Sequence, residues 1–279
     1  MTNPIARGVE GRGASMLDSL IADRHLIAEL TRRDIRSRYV GSLLGSAWAV
    51  IQPLALILIF TVVFSVLGRA EFAGAVFPHR YQYSIYLCAG LLPWLFVSDL
   101  VQRGTTQFVE LANLIKKVAF RKPVLLWSVT FSSAVSFLVA FGLFLVFLAM
   151  VGDVRVEVVG CYLLLVVLMA IAGLGKAALL ACLNVYLRDT KQMVAIVAQL
   201  WFWATPLVWY PTEQMPGWLM QVERFNPLYW YVRLMQDVML FGKTPHIWQW
   251  LLVGCWSAGC FLLGSQVLSK LEGDLADEL

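Results

Sequence analysis

VEVVGCYLLLVVLMAIAGLGKAALLACL, residues Val156–Leu183, decides the fold. It carries one acid at its edge, Glu157, and one base, Lys176; what lies between them is apolar, small or aromatic. A helix needs about 20 mainly apolar residues to cross the roughly 30 Å hydrocarbon core of a bilayer, and this run exceeds that. Working outward, five more runs of the same kind appear: Leu125–Val151, Tyr83–Val101 and Ala47–Leu67 upstream, Met193–Trp209 and Ile247–Leu268 downstream. Each is bounded by punctuation or charge. The expected fold is therefore all-α, a polytopic membrane protein with six transmembrane helices. In the second span, Leu92-Pro93-Trp94 places a proline that frees a backbone carbonyl and implies a kink.

Composition agrees. The 279 residues are 59% hydrophobic and 14% charged, with a mean hydropathy of +0.72; soluble domains run about 45–50% apolar and about 25% charged. The net charge of +4, from 22 basic and 18 acidic side chains, is too balanced to indicate nucleic acid. Cys88, Cys161, Cys182, Cys255 and Cys260 all fall in apolar runs without a C-x-x-C, and read as small buried hydrophobes. The first forty residues hold arginines in place of a signal-peptide core.

Lys and Arg set the orientation. With the N-terminus in the cytoplasm, fifteen fall inside: seven in the leader, five from Arg103 to Lys122, then Arg188, Lys191 and Lys270. Six fall outside (Arg69, Arg80, Arg155, Arg224, Arg233 and Lys243), and Lys176 lies within the fourth span. Both termini are thus expected in the cytoplasm. Residues 1–46 form a cytoplasmic leader, and 47–279 the six-helix domain with a short cytoplasmic tail.

Two connections have structure of their own. Met16, Leu17, Leu20, Ile27 and Leu30 share one broad helical face, an amphipathic helix at the cytoplasmic interface or an ordinary soluble one. The pattern blurs after Thr31. Between spans five and six, Asn226-Pro227 is a helix start and Gly242 a stop. Leu228, Val232, Met235 and Met239 make its apolar stripe, with Arg233, Gln236 and Asp237 off it. That helix is too short to cross, so it is re-entrant or rests on the outer interface; Met215-Pro216-Gly217-Trp218 opens a shorter partner. Gly41 and Gly45 frame a G-x-x-x-G, read as tight packing at the entry to span one.

The chemistry is notable for what is missing. Ion-coupled carriers generally need ionisable groups within the membrane; here no Asp or Glu lies near the middle of a span, and Asp99 sits at the cytoplasmic end of the second. Lys176 is the one clear intramembrane charge; it snorkels toward the cytoplasmic face or contacts substrate. No phosphate loop is present: the nearest match, Asp237 through Gly242-Lys243-Thr244, lacks the first glycine and any preceding strand. His25, His79 and His246 are far apart, and no metal-ligand motif or nucleophile elbow accompanies them, so metal and catalytic sites are both expected to be none. Trp48, Trp209, Tyr210 and Trp248 suit an interface belt, whereas Trp94 and Trp201-Phe202-Trp203 lie deeper. An aromatic-lined conduit would let a glycan slide, though lipid-facing packing serves equally for any single ring.

Thr31–Pro53, TRRDIRSRYVGSLLGSAWAVIQP, resembles the opening of the permease subunits of type-2 ABC transporters that export polysaccharide: O-antigen, teichoic acid and capsule chains. The resemblance continues in order through LLPWLF (Leu91–Phe96), ANLIKKVAF (Ala112–Phe120), LNVYLRDTKQ (Leu183–Gln192), ATPLVWYP (Ala204–Pro211), NPLYWYV (Asn226–Val232) and LADEL (Leu275–Leu279). Arg121 departs from the family's proline, Leu187 from a common aromatic and Thr190 from a common aliphatic. The resemblance implies a homodimer around a channel with two ATP-binding cassette subunits docked below. ATP and Mg are bound by those partners, and no cofactor by this chain. It further implies coupling through Arg33, Asp34, Arg36, Arg38, Asn113, Lys116, Lys117, Arg188 and Asp189. Substrate would meet Trp94, Phe96, Trp201, Trp203, Tyr210 and Lys176, and Asn226, Pro227, Tyr229 and Tyr231 would form an outer gate. The implied cargo is a lipid-linked polysaccharide, most closely an O-antigen, moved across a bacterial inner membrane. The rival readings are an exporter of a drug or small lipid, and a membrane enzyme acting on a lipid-linked sugar.

Overall fold

The computed structural model describes residues 16–38, 40–66, 81–118, 120–152, 155–211, 225–273 and 275–278. Among these the chain is helical, with no strand. The helices are α1 (Met16–Ala22), α2 (Arg24–Ser37), α3 (Trp48–Val66), α4 (Gln82–Glu110), α5 (Ala112–Lys117), α6 (Pro123–Val151), α7 (Val156–Tyr186), α8 (Thr190–Trp203), α9 (Pro227–Phe241), α10 (Ile247–Leu271) and α11 (Leu275–Glu278). Five of them, α3, α4, α6, α7 and α10, are long and apolar enough to cross a membrane. The turn at Met215–Trp218 lies outside the described residues.

Local chemistry fixes several helix ends. Pro123 opens α6, and Gly152 closes it in the left-handed region at φ 80°, where a missing Cβ removes the strain. Asn226 caps α9, its side chain accepting the Leu228 N–H at 3.0 Å, with Pro227 in the first turn and Gly242 (φ 66°) at the stop. Those boundaries are where the sequence places them. α4 outruns its expected end at Val101 by more than two turns, because Gly104, Thr105 and Phe108 are buried against the bundle.

The fifth expected span differs most. Its helix, α8, stops at Trp203 after 14 residues, about 21 Å. Pro206 has no N–H to continue the ladder and disfavours helical geometry at Thr205. Irregular backbone at that depth must find partners inside the protein, and it does. The Tyr83 hydroxyl donates to the Val208 carbonyl, Tyr86 Oη lies 2.9 Å from the carbonyls of both Pro206 and Trp209, and Gln236 Nε2 donates to Pro206 at 3.1 Å. Gln236 lies off the apolar stripe of α9, as its sequence position indicates, yet it is fully buried by this contact.

Pro93 inside α4 raises the same demand. The carbonyl four residues back, Ala89, has no N–H to receive, and the hydroxyl of buried Tyr162 on α7 donates to it at 3.0 Å.

α7 is the central element, packed along α4 and α10. A Cβ on Gly264 would collide with the backbone of Gly175, and one on Gly175 with the backbone of Cys260, so α7 and α10 touch main chain to main chain. On the other side, Gly104 of α4 leaves only 2.6 Å between a notional Cβ and that of Ala177. Gly41 and Gly45 do not pack helices. Both have positive φ, 83° and 53°, with nothing within 4 Å of an added Cβ. They are turn glycines, which corrects the reading of their spacing as a close helix contact.

A second apolar cluster joins Met16, Phe108, Leu125, Cys182, Val185, Leu268 and Leu275, with Leu114 and Ile115 packed on it. The two ends of the described chain, α5 and the α7–α8 connection therefore gather at one end of the bundle.

Candidate functional site

A cleft of about 350 Å³ opens between α4, α7, α8, α9 and α10. One face of α4 supplies Trp94, Ser98 and Gln102 at successive four-residue steps; α7 supplies Met169, Ala172 and Lys176, and α8 supplies Val197 and Trp201. Tyr231 and Trp256 close it from α9 and α10. Lys176 Nζ sits 4.9 Å from the centroid of Trp201 and 6.0 Å from that of Trp256. An ammonium over an indole face is held by the ring quadrupole.

Asn226 positions the Trp201 ring. Its Oδ1 accepts the indole N–H at 2.8 Å while also capping α9, and its amide donates to Thr205 Oγ1 at 2.8 Å. The residue read as part of an outer gate thus ties α8, the irregular 204–210 segment and α9 together. Tyr231 Oη lies 2.8 Å from the Val253 carbonyl and 2.5 Å from Ser257 Oγ, fixing α9 against α10.

Of the residues expected along a conduit, Trp94, Trp201 and Lys176 share this cleft, joined by Tyr231. Phe96 points elsewhere, stacked on Phe137 at 5.4 Å. Trp203 is exposed on α8. Tyr210 packs edge-on to Tyr86 at 5.4 Å and under Arg233 at 5.2 Å. Tyr229 meets Trp230 edge-on, and Pro227 serves the first turn of α9. Sequence reasoning missed Ser98, Gln102 and Trp256. The first two were discoverable, since they fall at helical spacing from Trp94.

The charged residues divide in two. Asp34 of α2 and Arg38, which caps its C-terminal end, are turned inward. Arg103 pairs with Asp34 at 2.5 Å and with Asp99 at 3.5 Å, and Arg38 pairs with Asp34 at 3.5 Å and Asp99 at 3.3 Å. Serines of α6 complete the network: Ser132 donates to Asp34, and Ser133 to Asp99 at 2.5 Å. Together with Thr31–Ser128 and Arg38–Ser136, these contacts advance in step along both helices, so α2 runs lengthwise on the first half of α6. By contrast Arg33, Arg36, Asn113, Lys116, Lys117, Arg188 and Asp189 are all exposed. On α5 the apolar Leu114 and Ile115 face the bundle, leaving its lysines outward. Arg121, where a proline was expected, pairs with Asp23 at 3.7 Å and so fastens the α1–α2 junction to the start of α6.

The family described as ABC-2 type transporter matches residues 25–240. Among curated relatives, an O-antigen export system permease protein RfbA of Myxococcus xanthus is 30% identical over 188 residues, 67% of this chain and 69% of its own length. One of the same name from Klebsiella pneumoniae is 25% identical over 222 residues, 79% of this chain and 82% of its own. A family match across most of the chain, over long apolar helices, leaves one conclusion: the chain belongs to the ABC-2 type transporter family as a membrane-spanning subunit.

Proposed function

We propose that the chain is the permease of an ATP-driven exporter that carries lipid-linked polysaccharide, an O-antigen, across a bacterial inner membrane. The observation that carries this reading is the alignment with O-antigen export system permeases over most of both chains. Two copies form the channel, and two ATP-binding cassette subunits, which bind ATP and Mg, drive it. The cluster that gathers both described chain ends and the α5 and α7–α8 connections is the cytoplasmic end, in keeping with the Lys and Arg bias. There the exposed Arg33, Arg36, Asn113, Lys116, Lys117, Arg188 and Asp189 meet the ATPase, while Asp34 and Arg38 transmit its motion through their ion pairs. Residues 1–46 are the leader that carries this coupling surface, and 47–279 the permease domain. α8 with the stretch that follows it makes the sixth crossing. α9, docked beside the irregular segment, closes the outer end through Asn226 and Tyr231.

The test is to co-purify the chain with the ATPase encoded beside it, and to measure ATP hydrolysis and surface glycan together in a strain lacking the parent gene. Restored surface O-antigen supports the proposal. Restored ATPase coupling with a small lipid or drug as the only exported cargo would shift it to the rival exporter, and turnover by the purified chain alone would shift it to an enzyme.

A further inference from the structure

We infer that the cleft around Lys176 binds the phosphate-type anion of a lipid-linked cargo, with the ammonium as counter-ion and Trp201 and Trp256 as stacking walls. This rests on the export reading above and names the part of the cargo held at that cleft.

The argument begins with charge. A lysine within a membrane helix is costly unless it finds a partner or reaches the interface. Lys176 reaches into the cleft, over Trp201, and among the described residues no carboxylate pairs with it. The five long helices contain only Asp99, Glu110 and Glu157 as acids. Asp99 is engaged by Arg38 and Arg103. Glu157 lies at the far end of α7, about 28 Å of helix away. Ala177 packs at the level of Gly104, which leaves Glu110 six residues, about 9 Å, further along α4. Cation–π contacts offset part of the desolvation but do not neutralise the charge. The missing partner is an anion from outside the chain.

The walls say what kind of anion. The cleft is lined almost entirely by apolar and aromatic side chains, which a free, fully hydrated anion would not enter without losing its water. An anion attached to a lipid and flanked by a sugar fits: the chain meets Met169, Val197 and Leu180, the sugar face meets indole rings, and Ser98 and Gln102 offer hydrogen bonds. The rim residues Met193, Val197 and Trp256 are exposed, giving an amphiphile a sideways entry. A second copy of the chain is a poorer occupant. Its long helices present no unengaged carboxylate except at their ends, so it could not supply the countercharge.

The experiment measures binding of a fluorescent long-chain polyprenyl diphosphate to the purified chain in zwitterionic nanodiscs, beside the uncharged polyprenol, inorganic diphosphate and phosphatidylglycerol. Lys176→Met should weaken the polyprenyl diphosphate at least roughly tenfold, the scale of one charge-assisted contact, and leave polyprenol unchanged. Lys176→Arg should retain binding. Because the substitution removes an unpaired, half-buried charge, Lys176→Met should melt no lower than the parent, which separates lost binding from lost fold. Equal affinity of parent and Lys176→Met for the diphosphate lipid would overturn the inference, as would parallel losses for both lipids. Phosphatidylglycerol or free diphosphate binding as tightly as the polyprenyl diphosphate would overturn the cargo assignment of the cleft. The two proposals fail separately: if surface glycan is exported normally by Lys176→Met the inference falls and the export reading survives, whereas Lys176-dependent binding in a chain that exports no glycan sinks the export reading alone.

Discussion

Replacing Tyr162 with Phe removes a single oxygen from the middle of the bundle, and the structure says what that oxygen does. Pro93 cannot donate to the Ala89 carbonyl, and the Tyr162 hydroxyl donates in its place at 3.0 Å. Tyr162 is fully buried and stacked on Phe141 with centroids 5.1 Å apart, so Phe preserves the packing and leaves the carbonyl without its donor. A buried unsatisfied acceptor costs about 1–3 kcal/mol. Interhelical hydrogen bonds in membranes average nearer 0.6 kcal/mol, with a maximum near 1.7, because the separated helices find other partners. Here the proline withholds the intrahelical partner in both states, which argues for the upper part of the membrane range, about 1–1.7 kcal/mol. The assay is equilibrium unfolding in mixed micelles, run as a cycle with Pro93→Ala. Alanine restores the N–H that closes the α4 ladder, so on that background Tyr162→Phe should cost almost nothing, giving a coupling of about 1–1.7 kcal/mol. Additive effects, with Tyr162→Phe equally costly in both backgrounds, would refute the reasoning.

Other outcomes follow from contacts described above. Gly264→Ala should destabilise by about 1–3 kcal/mol through overpacking against Gly175, whereas Gly142→Ala, which meets nothing within 4 Å, should change the melting point little; detergent melting curves compare them. Asn226→Ala should cost about 1–2 kcal/mol, the upper part of the range for a lost N-cap, because the Trp201 N–H also loses its acceptor, and the red shift of Trp201 emission in a variant retaining that indole alone reads it. Asp34→Ala should release α2 from α4 and α6, seen as faster proteolysis at its arginines with the long helices intact. Arg36→Glu, at an exposed position, should weaken ATPase co-purification without altering membrane insertion, while unchanged association would remove α2 from the coupling surface.

The long helices were legible because lipid imposes a one-dimensional rule, a sufficient apolar run, and Val156–Leu183 obeys it without reference to any neighbour. The α9 boundaries were legible for a local reason as well: Asn226, Pro227 and Gly242 each act within a few residues of themselves. What could not be read depends on pairs distant in sequence. Gly41 and Gly45 carry a packing spacing yet lie in a turn, while Gly175 and Gly264, which do pack, sit on different helices and share no motif. The inward turn of Asp34 and Arg38 requires knowing that Asp99, Arg103 and the Ser132–Ser136 stretch of α6 face them. Lys176 was visible as an anomaly, but Trp256 was not visible as its neighbour, since 80 residues separate them. The early stop of α8 could have been anticipated from Pro206; the apolar run through Trp209 outweighed it.

Asp99 and Arg103 alternate along α4 with Ser98 and Gln102, two residues holding the ion pairs to Asp34 and Arg38 and two lining the cleft. A rigid helix cannot rotate or slide on one side alone. Any stroke that drags α2 while its ion pairs hold must therefore reshape the chamber wall in the same instant, with no intervening loop to absorb the movement.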